Sequence, residues 1–136
     1  LALADAAASA RSAIGEALTN LASAPVASRA EVKLSANWMA AVAHPGEDLA
    51  LYDAVHATAE LCRAIGVSIP VGKDSLSMQA RWPADGSERR TVAPVSLVVS
   101  AFARVADVRR ALTPQLDPGL ADNRLLLVDL GGGRHR

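Results

Sequence analysis

At 136 residues the chain has the length of one domain and can bury a modest core. Hydrophobic residues make up 51% of it, too many for a disordered chain, while aromatics at 3% leave Ala, Val, Leu and Ile to build the core. The 14 Lys and Arg residues equal the 14 Asp and Glu residues, so no overall field draws the chain to nucleic acid or to a membrane surface. No apolar run is long enough to span a bilayer and no signal peptide is in view, so the sequence reads as cytosolic.

The first predicted helix runs from about Asp5 to Ala22. Ile14, Leu18 and Leu21 recur at helical spacing, and Pro25 closes the segment. The same helical geometry puts Glu16 and Asn20 on the opposite side, one turn apart. Glu31 to Trp38 alternates as a strand, with Val32, Leu34 and Ala36 on one side and Lys33, Ser35 and Asn37 on the other. The loop Ala43-His44-Pro45-Gly46 leads into a second helix, Glu47 to Ile65, whose broad apolar face holds Leu51, Ala54, Val55, Thr58, Leu61, Cys62 and Ile65. Glu47 and Asp48 favour its positive end, and Gly66 supplies a left-handed stop.

Val67 to Val71 is expected as a short buried strand, followed by a loop and then by a second strand over Ser77 to Trp82. The polar stretch Pro83 to Arg90 reads as a hairpin tip or hinge. Pro94 to Val105 is predicted to be a long apolar strand, Asp107 to Leu112 a short helix, and Leu125 to Leu130 another buried strand. The predicted core is Ile14, Leu18, Leu34, Leu51, Val55, Leu61, Ile65, Val98 and Leu127. The chain starts without Met inside a helical pattern and stops at glycines, as an internal fragment would.

Three groups of residues carry candidate chemistry. Val71-Gly72-Lys73-Asp74-Ser75-Leu76-Ser77-Met78 gathers a permissive Gly, an ammonium, a carboxylate and two hydroxyls, the kit that holds a phosphate and its metal. It lacks the Walker A spacing, and Gly, Asp and Ser are also ordinary turn formers, so both readings stand. Glu16 and Asn20 are two hard oxygen donors on one helix face, suited to Mg²⁺ and equally to the wet side of an amphipathic helix. His44 beside Pro-Gly has the chemistry of a general base or of an exposed turn histidine. His56 shows no partner in sequence, Arg89-Arg90 reads as solvated loop, and Trp38 and Met39 read as packing residues. Cys62, within the second helix, reads as a small buried hydrophobe.

Longer motifs narrow these choices. Gly15-Glu16-Ala17-Leu18-Thr19-Asn20, Val32-Lys33-Leu34-Ser35-Ala36-Asn37-Trp38-Met39, His44-Pro45-Gly46-Glu47-Asp48, Leu51-Tyr52-Asp53-Ala54-Val55, Ile69 to Met78 and Leu126-Leu127-Val128-Asp129-Leu130-Gly131 follow one another. In this order the chain resembles, over essentially its whole length, an internal part of the large form of phosphoribosylformylglycinamidine synthase. That family is an ATP-dependent glutamine amidotransferase, a C–N ligase of purine biosynthesis.

The resemblance implies an α/β (α+β) fold, mixed sheets covered by helices, like part of an aminoimidazole ribonucleotide synthetase module. Residues 1–84 would end the N-terminal part of the module, 85–93 would be a linker or hairpin tip, and 94–136 would start the C-terminal part. It implies Mg²⁺ and ATP as cofactors, with Glu16 and Asn20 on the metal and Lys73, Asp74 and Ser75 toward nucleotide or substrate. The substrate would be formylglycinamide ribonucleotide, and the partners the remaining domains of the parent chain. Among these is a glutaminase domain with its own cysteine nucleophile. Cys62 lacks the strand-to-helix elbow of that nucleophile, so the role does not carry over. An isolated chain with only part of a metal site is expected to be inactive. The family contains two related modules, so the alternative is a non-catalytic, structural nucleotide site at Glu16 and Asn20.

Overall fold

A computed structural model describes residues 1–129 and 131. In chain order its main elements are α1 (Ala6–Leu21), β1 (Lys33–Met39), α2 (Glu47–Ile65), β2 (Ser68–Ser75), β3 (Gln79–Ala84), β4 (Ser87–Val92) and β5 (Ser96–Phe102). β1 is the centre of a mixed three-stranded sheet, parallel to β2 on one side and antiparallel to β5 on the other. β3 and β4 form a separate antiparallel hairpin.

Local chemistry explains the helix ends. The Asp5 carboxylate accepts the Ala8 N–H at 2.7 Å and so caps α1. α2 keeps the expected bounds, closing at Gly66 with φ 69°, and the Val67 N–H reaches back to the Cys62 carbonyl at 3.0 Å. The phase of α1 is also as expected: Ile14 is fully buried, while Glu16 and Asn20 face outward.

The core lies between one face of the three-stranded sheet and the two helices. Ile14, Val32, Leu34, Cys62 and Val67 form its centre, with Leu18, Leu61, Ile65, Ile69, Val99 and Ala101 packed around it. Leu34 pairs with Ala101 and Ala36 with Val99, so the inward side chains of β1 and β5 line one face. Ala10 and Ala17 on α1 and Ala54 and Ala57 on α2 are buried, and such small residues permit the close approach of the two helices. Cys62 is buried too, and burial pushes its thiol pKa up. Alkylation of the native chain at neutral pH should therefore be slow and should reach the free-thiol rate on denaturation. A native thiol reacting at the free rate would show that the α2 face opens.

Several sequence expectations are corrected. Val55 is 42% exposed, because the buried stripe of α2 centres on Ala54, Ala57, Thr58 and Cys62 and leaves Val55 at its edge. Val98 is 53% exposed: β5 alternates, and Leu97, Val99 and Ala101 take the inner positions. The segment expected as a loop after Val71 is strand, since Gly72 to Ser75 continues β2 in register with Ala36 to Met39. Only Asp85 and Gly86 form the hairpin tip. Their φ values of 51° and 76° are those of a type I′ turn, which Asp-Gly favours because glycine meets no steric penalty there.

The short helix expected over Asp107 to Leu112 is a single 3₁₀ turn, Val108–Arg110. Leu125 to Asp129 is irregular rather than a strand, and Leu127 is 91% exposed because neither sheet edge takes the segment up. Leu130 and His135 lie outside the described residues. β5 shares a sheet with β1, so residues on both sides of the expected 85–93 junction belong to one layer.

Candidate functional site

The position of Lys73 is set by one irregularity in β2. Lys33 pairs with Ser68 but Ser35 pairs with Val71, so β2 spends one more residue than β1 between the two pairs. The extra residue falls at Ile69-Pro70, where a bulge accommodates a proline that has no N–H for the ladder. Because strand side chains alternate, one inserted residue reverses the facing of everything after it. Ile69 still packs against the core, while Val71, Lys73 and Ser75 turn to the face away from the helices.

On that open face Lys73 lies beside its register partner Asn37. Its Nζ donates to Ser75 Oγ at 2.9 Å, to the Asp74 carbonyl at 3.1 Å and, at a longer 3.5 Å, to Asn37 Oδ1. The ammonium is thus held in place at the surface by three acceptors, a fixed positive charge of the kind that meets an anionic ligand. Asn37 was not singled out in sequence. Its polar alternation with Lys33 and Ser35 was the available signal, but only the β1–β2 register joins it to Lys73.

Asp74 does not share this face. It pairs with Trp38, on the side where Gly72 pairs with Ala36. Ala36, Trp38, Gly72 and Asp74 help to line an open groove of about 310 Å³ along the β2 edge, and Val71 and Lys73 border it as well. Gly72 is required by close approach: a β-carbon there would lie 2.5 Å from the Ala36 carbonyl oxygen. The expected trio Lys73, Asp74 and Ser75 is therefore divided between two faces of one strand.

Glu16 and Asn20 stand on the outer side of α1, beyond the helix layer from the open sheet face. Their backbone carbonyls accept from Thr19 Oγ1 at 2.9 Å and Ser23 Oγ at 3.1 Å. The two side chains have the hard-oxygen chemistry that suits Mg²⁺. Among the described residues, however, no group of three or more His, Cys, Asp or Glu side chains gathers where a metal could be held. Two oxygen donors fit part of a magnesium shell and do not complete one.

His44 sits in the connection that leaves the carboxyl end of β1. There Ala40 N–H donates to the Ser75 carbonyl and Val42 N–H to the Leu76 carbonyl, both at 3.0 Å. His44 Nδ1 is buried without a hydrogen-bond partner, and so is Glu47 Oε2 in the first turn of α2. Buried polar atoms normally find partners, and the carboxyl ends of parallel strands are where open α/β sheets place their ligands. Sequence spacing marked His44 as a candidate but read Glu47 only as a favourable charge at a helix start.

A family model for the FGAR-AT PurM_N-like domain matches residues 1–104, from the start of the chain through β5. The chain belongs to that family. It is a domain of FGAR amidotransferase (FGAM synthase) type, from a ligase of purine biosynthesis whose family is ATP-dependent. The two helices and mixed sheet are the α/β fold of this domain. The match implies a multidomain FGAR amidotransferase around it. Cys62 is a free thiol buried within α2. Among the described residues no helix is long and apolar enough to cross a membrane.

Proposed function

We propose that this domain supplies part of the Mg-nucleotide-binding apparatus of an FGAR amidotransferase. Glu16 and Asn20 donate two oxygens to a Mg²⁺ whose shell is completed by nucleotide phosphates and by carboxylates from elsewhere in the enzyme. Lys73 and Ser75, with Asn37, present a fixed cation and polar groups to an anionic nucleotide or substrate at the open sheet face. Asp74 serves the groove along the β2 edge, which Lys73 also borders.

The observation that carries this reading is the outward face of α1, where Glu16 and Asn20 are exposed while Ile14 is buried. A parent enzyme of this class converts formylglycinamide ribonucleotide, glutamine and ATP to formylglycinamidine ribonucleotide. That reaction needs positive charge around the transferring phosphoryl group. The separation of Glu16 from Lys73 by the sheet and helix layers favours two different ligand sites. A structural nucleotide at Glu16 with a substrate-facing Lys73 is the second form of the proposal. Because β5 joins β1 and the family match runs to residue 104, we place the end of the first part of the module after β5.

Glu16→Gln in the full-length enzyme tests the metal role, since it keeps shape and one oxygen but removes the charge. Calorimetry should show Mg-nucleotide affinity at this site weakened by at least about tenfold, roughly 1.4 kcal/mol. Unchanged binding would remove Glu16 from the ligand set. Turnover lost in a stably folded variant favours catalysis, whereas stability lost with turnover retained favours a structural nucleotide. Lys73→Ala should leave metal affinity at the Glu16 site intact if the two sites are separate.

A further inference from the structure

The β3–β4 hairpin packs against no helix and no other strand of the domain among the described residues. A two-stranded hairpin on its own is marginally stable in water, so this ribbon lacks the support that the rest of the fold enjoys. Its register adds a further cost. Arg81 stands directly opposite Arg90, and like charges so placed destabilise an antiparallel pair.

Arg81 is partly compensated within the ribbon. Its guanidinium lies 3.7 Å from Glu88 Oε1 and donates to Gln79 Oε1 at 3.5 Å. On the other face Arg89 lies 3.6 Å from Asp85. The Arg90 guanidinium has no ion-pair or hydrogen-bond partner among the described residues. Alternation puts Pro83 and Val92 on the same face as Arg81 and Arg90, with Glu88 opposite Pro83 and Gln79 opposite Val92, so the two guanidinium groups have both apolar and polar neighbours.

We propose that the Arg81–Arg90 face of this hairpin docks on an acidic protein surface of another domain of the same amidotransferase. A carboxylate reaching Arg90 turns the cross-strand repulsion into a paired site and brings apolar contact to Pro83 and Val92. A free phosphate fits less well, because it brings no apolar surface to Pro83 and Val92 on the same face. The inference rests on the register and charges of the hairpin and on family membership, not on the nucleotide proposal.

Hydrogen–deuterium exchange on the full-length enzyme tests it. Amides of residues 79–92 should be protected in the wild type. Combined Arg81→Glu and Arg90→Glu should speed their exchange at least tenfold, with α2 unchanged as the control. Arg90→Lys should keep the protection and, with a zero-length carbodiimide, its ε-amine should form an amide with a carboxylate of another domain, losing water overall. Exchange at free-peptide rates in the wild type would overturn the proposal, as would protection that survives charge reversal. Protection that vanishes when inorganic phosphate is dialysed away, or a cross-link to a second copy of the chain, would also overturn it. If the double reversal exposes α2 as well, the cross-link decides alone, and no link to another domain refutes the docking.

Discussion

Leu34→Ala is expected to lower the unfolding free energy by about 2–5 kcal/mol, the range for a leucine truncated in a well-packed core. Leu34 is 0% exposed and lies on the central strand, with Val32, Ile14 and Cys62 in the same cluster. Its backbone pairs with Ala101 of β5 on one side, and β2 holds its neighbours Lys33 and Ser35 on the other, so the space left by the side chain cannot collapse easily. Val98→Ala is the matched control, since Val98 lies on the adjacent strand but on the open face. It should change stability by no more than about 0.5 kcal/mol, as expected of a surface site. Urea unfolding of both variants checks the pair. Equal losses would mean that the helices do not cover the face on which Leu34 lies.

The second large effect is expected from Gly72→Ala. Its β-carbon would meet the Ala36 carbonyl oxygen at 2.5 Å, below the 3.0 Å that real β-carbons respect, and the obstructing atom belongs to the backbone of the central strand. No rotamer change relieves such a contact, so β1 and β2 must part locally. A cost of about 1–3 kcal/mol follows by analogy with overpacked cores. The Lys73–Asn37 contact should loosen with it, because both residues are held by the same stretch of register. Faster amide exchange over Lys73 to Ser75, alongside a lower denaturation midpoint, is the expected signature. Gly15→Ala provides the contrast: nothing lies within 4 Å of where a β-carbon would stand, and the residue sits inside α1. There the same substitution should stabilise by roughly 0.5–1 kcal/mol. A Gly72→Ala variant as stable as the wild type would show that β2 is not seated on β1 at this spacing.

The features legible without a fold are those written in short-range signals. α2 was legible from Glu47 to Ile65 because its start charges, apolar period and Gly66 stop all lie within the helix or next to it. The phase of α1, and with it the exposure of Glu16 and Asn20, followed from helical spacing alone. The family itself was likewise readable, from motif order. The hairpin was legible only as a polar stretch from Pro83 to Arg90, and strand pairing narrowed its tip to Asp85-Gly86. Tertiary structure decided the rest. Val98 and Leu127 looked like core because an apolar run does not say which of its residues has a neighbour to pack against. Lys73, Asp74 and Ser75 looked like one cluster because they are consecutive. Their facing depends on a bulge counted against β1, more than thirty residues away in the chain, and that bulge sends Lys73 and Ser75 to one side and Asp74 to the other. A helix carries its own period, whereas the facing of a strand is settled by the partner with which it pairs.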